Sequence, residues 1–176
     1  MFQRTEDFPA IGLLEARWRD IRSELEQLAP QWFSQWPERD IYAGSWSVFG
    51  LYAFGQKIVE SCVRCPITAE CVESIPGMIT AGFSALEPGT HIKPHRGYTG
   101  SVLRTHLGLV PAADCALRVG TETRSWEAGK AFVFDDTTEH EAWNRGERTR
   151  VVLLLDFKRD ATAPLSLDAL PAWLFV

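Results

Sequence analysis

The first forty residues carry a helical pattern of apolar positions. Apolar side chains recur there at alternating steps of three and four residues, at Ile11, Leu14, Trp18, Ile21, Leu25 and Leu28. This spacing places them in one stripe along a helix of about five turns, which Pro30 ends. The stripe either packs on the body of the domain or forms a dimer seam, and its length of about two and a half heptads favours packing on the domain.

From about Tyr42 the pattern changes to short apolar runs that are typical of β-strands. The first such run covers residues 42–54 and is rich in aromatic side chains. A second helix is predicted at residues 68–74, closed by Pro76 and Gly77. After it, turns bearing Gly or Pro separate runs rich in β-branched and aromatic residues, and these runs predict strands at 78–86, 101–110, 115–119, 123–126, 131–134 and 149–157.

The regular spacing of these short strands predicts a closed or two-sheet β architecture. Residues 118–126 have the pattern of a hairpin within it. A length of 176 residues suits a single domain, which we divide into a helical N-terminal part (1–40), a β core (about 41–158) and a C-terminal tail (159–176). Residues 164–176 of the tail are expected to form a last helix.

The charges are scattered along the chain. The net charge of −5 comes from 23 acidic and 18 basic side chains, which gives no general attraction for nucleic acid or an anionic membrane. Residues 1–7 include acids and precede no apolar run, so we expect no secretory signal, no membrane span and a cytoplasmic protein. Of the four cysteines, Cys62, Cys65 and Cys71 lie close together and Cys115 lies apart. Free or partly paired thiols are favoured over a structural zinc site, which would need a further ligand.

All four histidines fall within the β region, at positions 91, 95, 106 and 140. His95 lies in a turn-like stretch with Pro94 and Gly97, and His140 follows the apolar run at 132–134. Loops and strand ends on a rigid sheet are good positions for metal ligands. His95 and His140 are therefore candidate ligands.

The strand at 101–110 adds a basic feature. Side chains two residues apart point to the same face, so Arg104 and His106 project together, while Leu103, Leu107 and Leu109 take the other face. An internal carboxylate or an anionic ligand should meet this pair, because burying unpaired charge is costly. Arg150 begins another apolar strand, and two basic strands that face one cavity would form a carboxylate pocket.

Each of these residues also has an ordinary explanation. A lone histidine near Pro and Gly is usually a surface turn residue, and a strand arginine is usually solvated or paired with a nearby acid. Acids that could serve are Asp114, Asp135, Asp136, Glu139, Glu141 and Asp156. Taken together, the histidines and arginines on a barrel-like strand pattern favour a metal-and-anion site.

Three ordered motifs then carry a family resemblance. They are residues 88–97, residues 103–109 and residues 126–141, with a shorter match at 44–47. Through them, residues 77–157 resemble the aspartyl/asparaginyl β-hydroxylases, which are iron(II)/2-oxoglutarate oxygenases. The resemblance implies a mainly β double-stranded β-helix (jelly roll), with the N-terminal helical elements packed on it. It also implies an enzyme that uses O₂ and 2-oxoglutarate, releases succinate and CO₂, and hydroxylates an aspartyl/asparaginyl-type or related amino-acid substrate.

The resemblance also assigns roles to residues. His95 and His140 match the two iron ligands, and Gly97 stands where most 2-oxoglutarate oxygenases have a ligating carboxylate. The positions that hold 2-oxoglutarate are matched by Ser84 and Arg150 at the distal carboxylate, by His106 near the iron-chelating end, and by Arg104; Trp46 closes the pocket. Val102 departs from members that have a second arginine there to grip an acidic substrate side chain.

Two other functions are compatible with the same residues. One is a non-catalytic cupin-like module that binds a metal or a ligand, since jelly rolls also present histidines without oxidation chemistry. The other is a hydrolytic or isomerising metalloenzyme with Asp135, Asp136 or Glu139 as third ligand or base. A free amino acid, a peptide, a lipid and a natural product all remain compatible substrates, and the sequence leaves the oligomeric state open.

Overall fold

A computed structural model describes residues 1–164 of the chain. Its α-helices are α1 (Ile11–Ala16), α2 (Trp18–Leu25), α3 (Val59–Arg64) and α4 (Pro66–Glu73). Its strands are β1 (Ser34–Gln35), β2 (Tyr42–Ala43), β3 (Trp46–Ala53), β4 (Gln56–Lys57), β5 (Met78–Leu86), β6 (Thr90–His95), β7 (Val102–Val110), β8 (Cys115–Val119), β9 (Glu122–Ser125), β10 (Ala131–Phe134), β11 (His140–Asn144) and β12 (Arg150–Lys158). No helix in this part of the chain is long and apolar enough to cross a bilayer.

The strands form two antiparallel sheets. One has the order β1-β3-β5-β12-β7-β10, with β4 paired to β3, and the other has the order β2-β6-β11-β8-β9. The eight strands from β5 to β12 divide equally between the sheets, with β5, β7, β10 and β12 in the first and β6, β8, β9 and β11 in the second. This arrangement is a jelly roll, as predicted.

Two apolar layers hold the sheets in place. Alternate residues of β12 point to opposite faces: Leu153 and Leu155 pack with the N-terminal helices, and Val152 and Leu154 pack between the sheets. The apolar stripe of the N-terminal helices is buried in the first layer, so its predicted packing on the domain is confirmed. The second layer leaves space for polar side chains between the sheets, and the candidate site lies there.

The prediction of one five-turn N-terminal helix is wrong. The helix breaks at Arg17, whose φ of −103° and ψ of 10° lie outside the α-helical region. The break brings Trp18 against Gly129, where an added Cβ would lie 2.6 Å from the indole nitrogen. Helix α2 already ends at Leu25, and Pro30 starts a separate 3₁₀ turn instead of ending the helix.

The strand predictions are largely confirmed. The segments 78–86, 115–119 and 131–134 have the predicted bounds, β7 starts one residue later than predicted, and β9 and β12 are each shifted by one residue. Strands β8 and β9 form the predicted hairpin. Strands β6 and β11 and helix α3 were not predicted, and the stretch interpreted as a turn around His95 is the end of β6. Helix α4 starts earlier than predicted because Pro66 is favourable in a first helical turn. Residues 165–176 of the predicted last helix lie outside the described residues.

Candidate active site

His95 and His140 face each other across two neighbouring strands. His95 is the last residue of β6, His140 is the first residue of β11, and the two are paired in the antiparallel register. Their ring centroids are 4.2 Å apart with an interplanar angle of 52°. The structure therefore brings together the two imidazoles that the sequence suggested as ligands.

In both histidines, Nε2 is the ring nitrogen that is free to bind a metal. Nδ1 of His95 lies 2.8 Å from the Lys93 carbonyl oxygen, and Nδ1 of His140 lies 2.9 Å from the Thr138 carbonyl oxygen. Because a carbonyl oxygen only accepts, each Nδ1 carries the proton and each Nε2 keeps a free lone pair. Burial lowers the pKa of His95, and burial with the neighbouring His95 lowers the pKa of His140 to about 3. Both rings are thus neutral at pH 7, the form that binds metals.

The position two residues after His95 has no room for a ligating side chain. A Cβ on Gly97 would lie 2.4 Å from Cγ and Oδ2 of Asp136, whose carbonyl oxygen accepts a hydrogen bond from the Gly97 N–H at 2.7 Å. Asp136 is 4% exposed, its Oδ1 has no hydrogen-bond partner among the described residues, and burial raises its pKa. Within residues 1–164, no three His, Cys, Asp or Glu residues form a metal-binding group. The site is therefore a two-histidine site with an acid beside it.

Arg104 is paired with acids of the protein. Asp156 is paired with Arg104 in the register of β7 and β12. Its carboxylate accepts two hydrogen bonds from the guanidinium group of Arg104, from Nε to Oδ1 at 2.7 Å and from Nη2 to Oδ2 at 2.9 Å. Oδ2 of Asp136 lies 3.6 Å from Nη1. The internal carboxylate expected for this strand is thus present at Arg104, although the resemblance assigned Arg104 to 2-oxoglutarate.

Arg150 has no carboxylate partner within the described chain. Its side chain is 1% exposed, Nη1 donates to the Ser84 carbonyl oxygen at 3.2 Å, and Nε has no partner. The guanidinium carbon lies 4.4 Å from the centre of the Trp126 ring, a cation–π contact. Burial lowers the pKa of Arg150 to about 10, so it remains charged at pH 7. A buried cation without an anion is energetically costly, and a bound anion would offset that cost.

His106 supplies a second unpaired donor beside Arg150. Its Nδ1 accepts a hydrogen bond from the Trp126 indole N–H at 3.3 Å, and its Nε2 has no partner in the described structure. Burial and the charge of Arg150 lower the pKa of His106 well below its usual value, so the ring is neutral. Since an indole can only donate, the ring proton of His106 is on Nε2. The donor set of His106 and Arg150 suits a carboxylate.

Two pockets meet at His95. The inner pocket contains Ser84, His106, His140 and Arg150. The outer pocket has a volume of about 110 Å³ and is lined by apolar side chains, including Trp36, Phe54, Ile79 and Val102, and by charged ones, including Glu38, Arg96, Asp136 and Asp156. Trp46, His95 and Arg104 line both pockets. Trp46 donates from its indole to Ser84 Oγ at 2.9 Å and stacks on Trp36 at 4.2 Å and 11°, so it forms the wall between the pockets.

Sequence reasoning missed the parts of the site that depend on strand register and loop packing. Asp156 was one of several acids that could pair with an arginine, and only its place opposite Arg104 selects it. No sequence pattern singled out Trp126 or Trp36 individually as a residue of the site. All four cysteines are free and buried, and Cys115 lies beside Arg150.

Comparisons with known proteins agree with this geometry. The model of the aspartyl/asparaginyl beta-hydroxylase family matches residues 15–160. The ornithine lipid ester-linked acyl 2-hydroxylase of Rhizobium tropici is 39% identical over 171 residues, which cover 91% of this chain and 61% of that protein. The aspartyl/asparaginyl beta-hydroxylase of Homo sapiens is 35% identical over 170 residues, which cover 90% of this chain and 22% of that protein. This chain therefore spans less than two thirds of either relative.

Among solved structures, a predicted oxalate decarboxylase of Thermotoga maritima is similar in fold, with a TM-score of 0.51 at 11% identity over 72% of this chain and 91% of that one. The family match, in contrast, includes both facing histidines, the buried Arg150 and all strands from β5 to β12. The chain belongs to the aspartyl/asparaginyl β-hydroxylase family.

Proposed function

We propose that this protein is an iron(II)- and 2-oxoglutarate-dependent hydroxylase. The proposal rests on one observation: two neutral imidazoles with free Nε2 atoms stand beside a buried arginine and a buried histidine, each of which has one nitrogen, Nε of Arg150 and Nε2 of His106, without a partner among the described residues. Membership of a hydroxylase family agrees with it.

The residues of the site fit both iron(II) and 2-oxoglutarate. His95 and His140 would hold iron(II) through Nε2, and the inner pocket would hold the dicarboxylate co-substrate. When bound, iron and 2-oxoglutarate supply O₂ activation and the oxidation of a C–H bond, with release of succinate and CO₂. Arg150 neutralises a carboxylate, His106 donates from Nε2, and the Ser84 hydroxyl is oriented by Trp46. The apolar side chains of the outer pocket would reduce the access of water to the site.

Two other observations bear on the competing functions. Asp135 accepts hydrogen bonds from Thr137 and pairs with Arg159, and Glu139 pairs with Arg118. Of the three acids considered as a third ligand, only Asp136 keeps a carboxylate oxygen without a partner among the described residues. The unpaired donors of the inner pocket suit an organic anion, which a hydrolytic metal site does not require. Both observations favour the oxygenase over a hydrolytic zinc enzyme.

The test removes each histidine. We expect His95→Ala and His140→Ala to abolish iron binding and succinate formation, whereas His91→Ala should keep both, because His91 is an exposed residue of the same strand that pairs with Glu141. The readouts are the weak visible charge-transfer band of anaerobic protein with iron(II) and 2-oxoglutarate, and succinate release in air. Succinate formation that survived either site variant would rule out the proposal. A wild-type protein that binds metal but never forms succinate would favour the non-catalytic module.

The names of the two relatives indicate different substrate classes, an acyl chain and an aspartyl or asparaginyl side chain. We infer that the acyl class fits this chain better. The lining of the outer pocket includes Trp36, Ile79 and Val102, and its partly buried cation, Arg104, is already neutralised by Asp156 and Asp136. The other arginine in the lining, Arg96, is exposed and donates to the Thr137 carbonyl oxygen. An acidic side chain would therefore find no free cation inside, whereas a hydrocarbon chain would be desolvated on contact with the walls.

A parallel assay separates these classes. We expect a mass gain of one oxygen atom on an ester-linked acyl lipid and none on a capped aspartyl peptide. Val102→Arg should reduce lipid turnover at least tenfold, and Val102→Leu should retain it, because only the first places a charge in the apolar pocket. Hydroxylation of the peptide by the wild type, with the lipid left unchanged, would contradict the acyl assignment and leave the oxygenase proposal intact.

A further inference from the structure

Trp126 contacts the two residues of the inner pocket that have a nitrogen without a partner, His106 and Arg150. Its indole N–H donates to Nδ1 of His106 at 3.3 Å, while the face of its ring lies 4.4 Å from the Arg150 guanidinium carbon. Trp126 is itself 5% exposed. One side chain thus supports two groups that come from different strands, β7 and β12.

The contact with His106 decides which nitrogen of that ring is protonated. A neutral imidazole has one donor and one acceptor, and the two tautomers exchange these roles. The indole donor is satisfied only when Nδ1 accepts, which leaves the proton on Nε2, the atom without a partner. Without the indole, a ring with its proton on Nδ1 would present a lone pair to the ligand carboxylate and repel it.

The contact with Arg150 holds the guanidinium without using its donors. A cation–π contact stabilises the charge through the ring face, and the Nε hydrogen stays without an acceptor. A carboxylate in the same place would have consumed these donors, as Asp156 does at Arg104. The aromatic ring therefore keeps Arg150 charged and available for an incoming anion.

The loop that carries Trp126 is fixed close to His106. Trp126 follows β9, and the turn after it lies directly on β7, where the Gly108 N–H donates to the Lys130 carbonyl oxygen at 2.9 Å and the Gly129 N–H donates to the Gly108 carbonyl oxygen at 2.8 Å. Gly108 lies two residues after His106 on the same strand. The indole is therefore held in place by backbone contacts as well as by its own packing.

From these contacts we propose that Trp126 is a positioning residue for 2-oxoglutarate, which sets the tautomer of His106 and cradles Arg150. The proposal rests on the proposed function for the identity of the ligand. The tautomer itself is a property of the protein without metal or co-substrate.

The test uses two substitutions and two readouts. Trp126→Phe keeps a ring face for Arg150 and loses the indole donor, and Trp126→Leu loses both; Trp143→Phe, in β11 and stacked on Arg145, is the matched control. In metal-free protein, ¹⁵N spectra should show His106 protonated on Nε2 in the wild type and the control. In Trp126→Phe they should show a mixture of tautomers.

The second readout is 2-oxoglutarate binding to the manganese(II)-loaded protein by calorimetry. We expect Kd to rise about tenfold in Trp126→Phe, equivalent to about 1.4 kcal/mol, and further in Trp126→Leu. In the assay, KM for 2-oxoglutarate should rise while kcat changes less than twofold. An unchanged His106 tautomer together with an unchanged Kd in Trp126→Phe would overturn the proposal. If the wild type fails to bind 2-oxoglutarate, the proposed function fails, and the spectra still decide whether Trp126 controls His106.

Discussion

The packing of Asp136 against Gly97 leaves no room at position 97 for a side chain that could bind a metal. The Asp136 carboxylate occupies the volume that any side chain at position 97 would need. We therefore expect Gly97→Asp to destabilise the protein by about 1 to 3 kcal/mol through overpacking. Asp136→Ala should relieve most of this cost, so the two substitutions should be strongly non-additive in a urea-unfolding double-mutant cycle. Gly100→Ala is a suitable control, because nothing lies within 4 Å of its added Cβ. Additive effects at 97 and 136 would contradict this packing.

The histidine pair makes stability depend on pH. The folded pKa of His140 is about 3, below its ordinary value of 6.5, so the unfolded chain binds this proton first as the pH falls. The contribution of His140 is complete above pH 6.5 and is lost between 6.5 and about 3, at up to about 1.4 kcal/mol per pH unit. Metal-free wild type should therefore lose stability in this window more steeply than His140→Gln, as measured by chemical unfolding at a series of pH values. Parallel curves would show that His140 titrates normally.

At the scale of the element, β7 and the turn before β10 depend on Gly108. A Cβ there would lie 2.1 Å from the Glu127 carbonyl oxygen. Gly108→Ala should push this turn and Trp126 away from β7, with a loss of about 1 to 3 kcal/mol in unfolding free energy and weaker 2-oxoglutarate binding. Gly12→Ala in α1 has free space around its Cβ and should be neutral or stabilising. Equal stability of Gly108→Ala and the wild type would show that the turn adapts at little cost.

The elements also show what the sequence could and could not predict. Period-two alternation correctly placed Arg104 and His106 on one face of β7, away from Leu107 and Leu109. The strands that carry His95 and His140 were missed because their polar residues and Pro94 hide the alternation, so the pattern marked both histidines as candidate ligands but could not show that they face each other. The pairing of Asp156 with Arg104 requires the register of β12 against β7. The break at Arg17 depends on the contact between Trp18 and Gly129, which lies far away in sequence.

At the scale of the whole molecule, the proposed function predicts that the burial of Arg150 links the stability of the fold to the binding of 2-oxoglutarate. The charge of Arg150 is buried without a neighbouring anion, which lowers the stability of the fold. A bound carboxylate would remove this cost. We expect saturating 2-oxoglutarate with manganese(II) to raise the unfolding free energy by about 2.7 kcal/mol at a hundred times Kd. Arg150→Met should be at least as stable as the unliganded wild type and should gain nothing from 2-oxoglutarate. Thermal unfolding with and without ligand measures both effects, and equal ligand stabilisation of the two proteins would exclude Arg150 from the binding site.

The stacked indoles of Trp36 and Trp46 have an optical consequence. Because the ring centroids are 4.2 Å apart, the electronic transitions of the two indoles couple, and a rotation of one ring relative to the other within the stack should give a paired positive and negative signal in the ultraviolet circular dichroism of the protein. Because both rings line the outer pocket, a molecule that enters it and separates them would change this signal without any added label. The protein thus carries its own spectroscopic sensor for ligands that have not yet been identified.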